Sequence, residues 1–289
     1  MMTTIETFIK RHPVLTYFVL TFAISWGGIL IVLGPGGFTS TPERLDMFLP
    51  FVVLAILAGP SVAGVVLTSL VDGRAGLREL LSRLLRWRVS ARWYAVALLT
   101  APLTVMATLL PLSLTSPVFL PSIFTASDKA SLLLSGIVAG LAGGFLEELG
   151  WTGFAAPRIK LRYSLLATGL IVGVLWGAWH SPTSFWGSSD SAGTVSLAIY
   201  VPVALFSFLP PYRVLMVWVY DRTESLLLAM LMHASLIPSI FYVLTPPATG
   251  WAFVTYNLVL ALALWIVVAA VAVANSGQIS RQPLRRRIA

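Results

Sequence analysis

No cysteine occurs in the 289 residues, which excludes disulfides, a thiol nucleophile, thiolate metal sites and palmitoylation together. Charge is scarce as well. Asp, Glu, Lys and Arg make up only 10% of the chain, where a soluble domain carries roughly a quarter. Acids are the scarcer sign, 11 against 19 basic residues, and there are 3 histidines. No long polar stretch is present, so residues 1–289 read as a single membrane domain without a soluble one attached.

What fills the chain is apolar. Hydrophobic residues make up 57% of it, and the mean hydropathy is +0.88. Runs long enough to cross about 30 Å of hydrocarbon lie near 14–33, 47–70, 92–114, 131–157, 165–181, 195–220, 225–244 and 251–273. They predict an all-α fold, a polytopic membrane bundle of about eight transmembrane helices, the sixth interrupted by Pro210-Pro211. The first run follows Lys10 and Arg11 and is longer than a signal-peptide core. No small-x-small cleavage site follows it, so it is expected to be retained as a membrane helix.

The net charge of +8 does not point to nucleic acid, because of where the cations fall. With the N-terminus inside, sixteen of them lie in cytoplasmic segments: Lys10, Arg11, six arginines between 74 and 92, three cations at 158–162, Arg222 and four in the tail. Only Arg44 and Lys129 fall outside, and Arg213 is left within a span. This bias supports an even helix count with both termini cytoplasmic. The Ala-, Leu-, Val- and Arg-rich composition fits a bacterial cytoplasmic membrane. Leu77, Leu80, Leu81, Leu84 and Leu85 recur at helical spacing in Gly76–Val89, among arginines and Trp87. That pattern suits a helix on the cytoplasmic headgroup surface, as a topology anchor or a site for a regulatory lipid. The tail "RQPLRRRIA" reads as a further anchor.

Ionisable residues inside the spans are few. "GGFLEELGWTGF" (143–154) carries Glu147 and Glu148, while His180 and His233 lie in or at the ends of the fifth and seventh helices. A lone histidine near a helix end is commonly a hydrogen-bonded structural residue. Two acids and two histidines as nearly the whole intramembrane inventory point instead to one shared site. No His-Glu-x-x-His is present, no Asp sits in a span, and Ser135-Gly136 lacks a nucleophile context, which sets aside a zincin helix, an aspartyl dyad and a serine protease. What survives is water attack by carboxylate and imidazole, with the histidines polarising a carbonyl, stabilising an oxyanion or holding a metal. Gly136, Gly140 and Gly144 make a smooth face for a packed helix. Glu147 and His180 reach one depth only if the fourth helix runs to about Pro157, so Thr152 and Phe154 are expected inside it.

Three stretches carry a family resemblance: "EELGWTGF" (147–154), "GVLWGAWHSP" (173–182) and "YDRTESLLLAMLMHASL" (220–236). In order and on separate helices, they resemble the motifs of the type II CAAX prenyl proteases, also called the CPBP or Abi intramembrane proteases, over about 132–237. The resemblance implies an intramembrane endopeptidase that acts on a membrane-associated peptide or protein within the lipid bilayer. Glu147 would activate water, Glu148 would support it, and His180 and His233 would bind water, metal or oxyanion. A divalent metal such as zinc, held by Glu147, His180 and His233, and a metal-free glutamate mechanism both match this set. Two positions depart from the family pattern: Thr152 stands where the first motif has Arg, and Ile237 where the third has Asn. Arg213 from the sixth helix and Asn257 from the eighth are candidate substitutes; equally, Arg213 could snorkel to the surface and Asn257 could only bridge helices. Two other functions remain open beside the peptidase. One is an inactive scaffold or bacteriocin-immunity protein of the same fold; the other is a proton-coupled transporter, which the lack of an inverted repeat disfavours.

Overall fold

Residues 4–37, 41–187 and 194–275 are described in the computed structural model. The tail "RQPLRRRIA", expected as an anchor, lies outside them, as does the C-terminus. Among the described residues the chain is helical and no strand is found. In chain order the helices are α1 (Thr4–Arg11), α2 (Pro13–Leu33), α3 (Pro42–Leu84), α4 (Ala91–Ser113) and the four-residue α5 (Ser122–Thr125). Then follow α6 (Lys129–Gly150), α7 (Ala156–Lys160), α8 (Leu165–Trp179), α9 (Ser181–Gly187), α10 (Leu197–Phe206), α11 (Leu209–Thr223), α12 (Leu226–Ile237) and α13 (Gly250–Ala274).

Six segments are long and apolar enough to cross a membrane: Pro13–Leu33, Glu43–Leu84, Ala91–Ser113, Lys129–Lys160, Leu197–Thr223 and Gly250–Ala274. Two shorter apolar helices, Leu165–Trp179 and Leu226–Tyr242, occupy the other two expected spans. Together they make a multi-pass membrane bundle.

Sequence sets the helix starts. Asp128, Ser164 and Ser225 each accept a backbone N–H of the following first turn, opening α6, α8 and α12. Asp128 also takes the Ser131 hydroxyl at 2.6 Å, and these bonds hold its carboxyl below the usual range. The sixth run breaks at Ser207-Phe208, which places Pro210 and Pro211 in the first turn of α11, where a missing N–H costs nothing.

Inside α3, Pro60 cannot donate to the carbonyl of Ile56. The Ser25 hydroxyl of α2 donates to that carbonyl instead, at 2.6 Å, and accepts the Trp179 indole N–H at 2.9 Å. One proline thereby ties α2 and α3 to the end of α8.

Close approach positions the centre. α6 packs between α3 and α12. A Cβ on Gly64 would stand 2.7 Å from the Gly150 Cα, and one on Gly144 would stand 2.6 Å from the Met230 carbonyl oxygen. Gly136 and Gly140 meet Pro238 on the same partner, so the glycine stripe is the packing face expected of it. α8 packs on α11 through Gly169 and Gly173, against Val214 and Pro210.

One expectation needs correcting. The leucine-patterned stretch after residue 76 is helical as expected, but it ends at Leu84 and does not run to Val89. A kink at Gly73, whose φ of 65° favours glycine, sets it off from the spanning part of α3. Leu80 is drawn inward against Leu226 and Met230, which anchors the extension to the bundle.

Candidate active site

The fourth span does continue past Gly150. Trp151–Ala155 forms a π-helical segment and α7 carries the chain to Lys160, so Thr152 and Phe154 lie inside one continuous helix. π-segments inside α-helices often occur at functional sites. A second one, Pro238–Tyr242, follows α12 directly. The two glutamates precede the first, and His233 and Ile237 precede the second.

Glu148 is fully buried and saturated. Nη1 of Arg213 donates to both its oxygens, at 2.8 and 2.9 Å, and the Nδ1 of His233 lies 2.8 Å from Oε1. The Thr152 hydroxyl donates to Oε2. Arg213, the one cation left over inside a predicted span, is therefore not at the surface: both partners of the pair have zero exposure. Where the family motif has an arginine one turn after Glu148, this chain has a hydroxyl there and the guanidinium comes from α11. The Arg213 Cζ sits 4.1 Å from the Trp176 ring centroid, while Nε and Nη2 make no hydrogen bond.

Glu147 is held differently. Its Oε2 accepts two indole N–H groups, from Trp176 at 2.8 Å and Trp151 at 3.3 Å. Its Oε1 lies 3.8 Å from His233 Nε2. Because Glu148 offers His233 only acceptors, the proton on that ring belongs on Nδ1. Nε2, the other ring nitrogen, faces Glu147 Oε1 across 3.8 Å.

His180 caps α8, half-buried, with Nδ1 2.8 Å from the Trp176 carbonyl oxygen. Among the described residues Nε2 makes no hydrogen bond. His180 lies within electrostatic reach of Glu147 and His233, and its ring centroid is 5.6 Å from that of Trp176. It joins the cluster through Trp176 and makes no direct bond to either glutamate. Asn257 does not join the cluster. Its amide donates to the Phe253 carbonyl of its own helix at 2.8 Å, and α13 packs on α4, α10 and α11. At the position of the family's asparagine, the Ile237 Cδ1 sits over Gly143.

Whether the expected metal set fits can be tested on these positions. Among the described residues no three His, Cys, Asp or Glu side chains converge as metal ligands. Glu147 Oε2 is filled by two indole donors, His233 Nδ1 by Glu148 and His180 Nδ1 by the Trp176 carbonyl, which leaves Glu147 Oε1 and the two Nε2 atoms as the ones that would hold a metal. As placed, those three residues do not converge into a three-ligand zinc site.

Sequence reasoning missed Trp151 and Trp176. Their signal was present: one stands four residues after Glu147, the other four residues before His180. Buried indoles need acceptors, and carboxylates are the strongest ones available in a span.

Residues 129–236 match the family model described as "Type II CAAX prenyl endopeptidase Rce1-like". A CAAX prenyl protease 2 of Methanococcus maripaludis is 22% identical over 231 residues, covering 78% of this chain and 82% of that protein. The match spans all three motifs and the helices that carry Arg213. The motif-bearing core of this membrane protein, residues 129–236, is therefore similar to the Rce1-like type II CAAX prenyl endopeptidases.

Proposed function

We propose that the protein is an intramembrane endopeptidase in which Glu147 activates a water molecule for attack on a peptide bond. The carrying observation is the 3.8 Å between Glu147 Oε1 and His233 Nε2. A water donating to both sits at ordinary hydrogen-bond distances. Its oxygen lone pair is then free for a scissile carbonyl. Oε1 takes the proton as the new C–O bond forms, then passes it to the departing amine nitrogen as the C–N bond breaks.

Glu148 and Arg213 have no reacting atom to touch. They fix the tautomer and orientation of His233, as a carboxylate does for a catalytic imidazole. His180, with Nδ1 committed to Trp176, keeps Nε2 to accept a proton and, once protonated, to face an oxyanion. The substrate class to try first is a prenylated C-terminal peptide, after the name of the Methanococcus relative. The packed apolar surroundings suit a lipid-borne substrate.

A second reading has one observation in its favour. Ile237 puts a methyl group where the family places an amide donor, and Asn257 is turned to its own helix. A scaffold that kept the fold and lost turnover would look the same at that position.

The discriminating experiment uses purified protein in liposomes with a farnesylated, internally quenched CAAX peptide. Cleavage by the native sequence, falling about 10³-fold or more in Glu147→Gln with the melting profile retained, supports the peptidase. Equal cleavage by Glu147→Gln removes Glu147 as the base. No cleavage by either leaves the scaffold reading in place.

A further inference from the structure

The two indoles on Glu147 do more than satisfy a buried carboxylate. Both donate to one oxygen, Oε2, and among the described residues Oε1 accepts no hydrogen bond. Trp176 is itself held from several sides. The Arg213 guanidinium lies over its face, the His233 ring meets it edge-on at 5.1 Å, and its own carbonyl oxygen faces His180 Nδ1. Trp151 is wedged between Tyr17 and Trp179, at 5.7 Å from each. Neither ring can turn without disturbing a neighbour.

We propose that Trp176, seconded by Trp151, is a positioning residue that commits Oε2 of Glu147 to indole N–H donors and leaves Oε1 as the single basic oxygen, aimed at His233. This rests on the reading of Glu147 as the base. A carboxylate with three side-chain torsions samples many orientations. Two donors on one oxygen select one of them, so Oε1 meets the proton of the attacking water.

The donors are also neutral, which suits a group that must gain and lose a proton. When Oε1 is protonated, Oε2 becomes the carbonyl oxygen of a carboxylic acid and still accepts both N–H bonds. A cationic partner in their place would be left without its counter-charge at that moment. The guanidinium over the Trp176 face polarises the indole and strengthens its N–H donor without touching Glu147. The cation thus acts on the base through a neutral ring.

The test separates a positioning role from a packing role. Trp176→Phe removes the N–H. Benzothienylalanine at the same position is a second variant, isosteric with indole and lacking only the donor, and it keeps the core filled where Phe disturbs folding. Loss of one hydrogen bond to a charged group is expected to lower kcat about 10- to 100-fold, with KM for the farnesylated peptide little changed. In the Glu147→Gln background the same replacement should add almost nothing to the defect, because both changes act on one group. An equal fold-loss in both backgrounds, or a defect confined to KM, overturns the proposal.

A readout independent of turnover accompanies it. In ultraviolet resonance Raman difference spectra against Trp176→Phe, the Trp176 N–H band should stand at a hydrogen-bonded position and move to the free position in Glu147→Leu. A band that stays put means the indole does not donate to Glu147. If Glu147→Gln turns over as fast as the native protein, the base assignment falls and the inference falls with it. If Glu147→Gln is slow while the benzothienyl variant is fast, only the positioning role falls.

Discussion

Two polar regions hold this bundle together, and they are built on opposite terms. Around Glu147 and Glu148 the charges are dry: Glu148 and Arg213 have no exposure at all, and no further cation joins them. At the arginine-rich end the charges are numerous and mostly within reach of water. There Arg158 pairs with Asp72, Lys160 with Asp221 and Arg86 with Glu224, and Arg83 donates to the Tyr220 hydroxyl at 2.7 Å. Arg222 reaches Asn275 at 2.7 Å. This belt joins α3, α7, α11 and α13 near their C-terminal ends. It has many weak links, whereas the central cluster has few and each must be complete. The same contrast runs between the adjacent glutamates. Glu148 is locked by a cation, while Glu147 is held by neutral donors and, among the described residues, keeps one oxygen free, which is why the proposed base is Glu147.

The largest effect on stability should come from breaking the central pair. Arg213→Leu leaves Glu148 as an uncompensated carboxylate in the membrane interior, and about 3–5 kcal/mol of destabilisation is expected. Thermal unfolding in detergent reads it. Pairing that change with Glu148→Leu removes both charges and should recover most of the stability while turnover stays lost, because His233 has then lost the group that fixes its tautomer. A double variant as unstable as the single one would mean that the pair acts through packing. An active double variant would detach Glu148 from the chemistry.

A smaller effect is expected at the belt's most enclosed link. Lys160 and Asp221 retain 8% and 3% side-chain exposure, nearly as little as the central pair, but they sit at a helix end. After Lys160→Met the Asp221 carboxylate can relax toward water or a headgroup. A cost of about 2 kcal/mol is expected, with cleavage of the farnesylated peptide unchanged. A loss as large as that of Arg213→Leu would erase the distinction between the two regions.

How far the sequence anticipates this arrangement follows the same division. The eight apolar runs, the charge bias and the glycine stripe are patterns repeated over many residues, so the helices could be read without tertiary information. The long fourth span followed from matching the depths of Glu147 and His180, and the π-segment at Trp151–Ala155 keeps it continuous. Arg213 stood out as the one cation inside a span, and its partner could be guessed because few acids were available. The indoles did not stand out, because tryptophan in a membrane helix is ordinary and only the fold shows where an N–H points. The kink at Gly73 was hidden for a related reason. Leucine spacing continues on both sides of it, and periodicity does not register a change of axis. Asn257 was singled out for its rarity, and rarity says nothing about direction: its amide turns back to Phe253.

The weakest effect should come from the exposed link between Arg86 and Glu224, whose side chains retain 39% and 54% exposure. Arg86 spans from just past the end of α3 to the left-handed residue that closes α11, and the Ser225 hydroxyl donates to its carbonyl oxygen at 2.7 Å. The side-chain pair can therefore be lost while the backbone bond stays. Arg86→Ala is expected to cost no more than about 1 kcal/mol at low salt, and the difference should vanish near 1 M salt, where charges are screened within about 3 Å. Arg213→Leu should keep its full cost over the same salt series, since ions do not reach the pair. Parallel melting curves for both variants across that series measure the comparison directly. A salt-independent Arg86 or a salt-sensitive Arg213 would mean that water reaches the two regions alike.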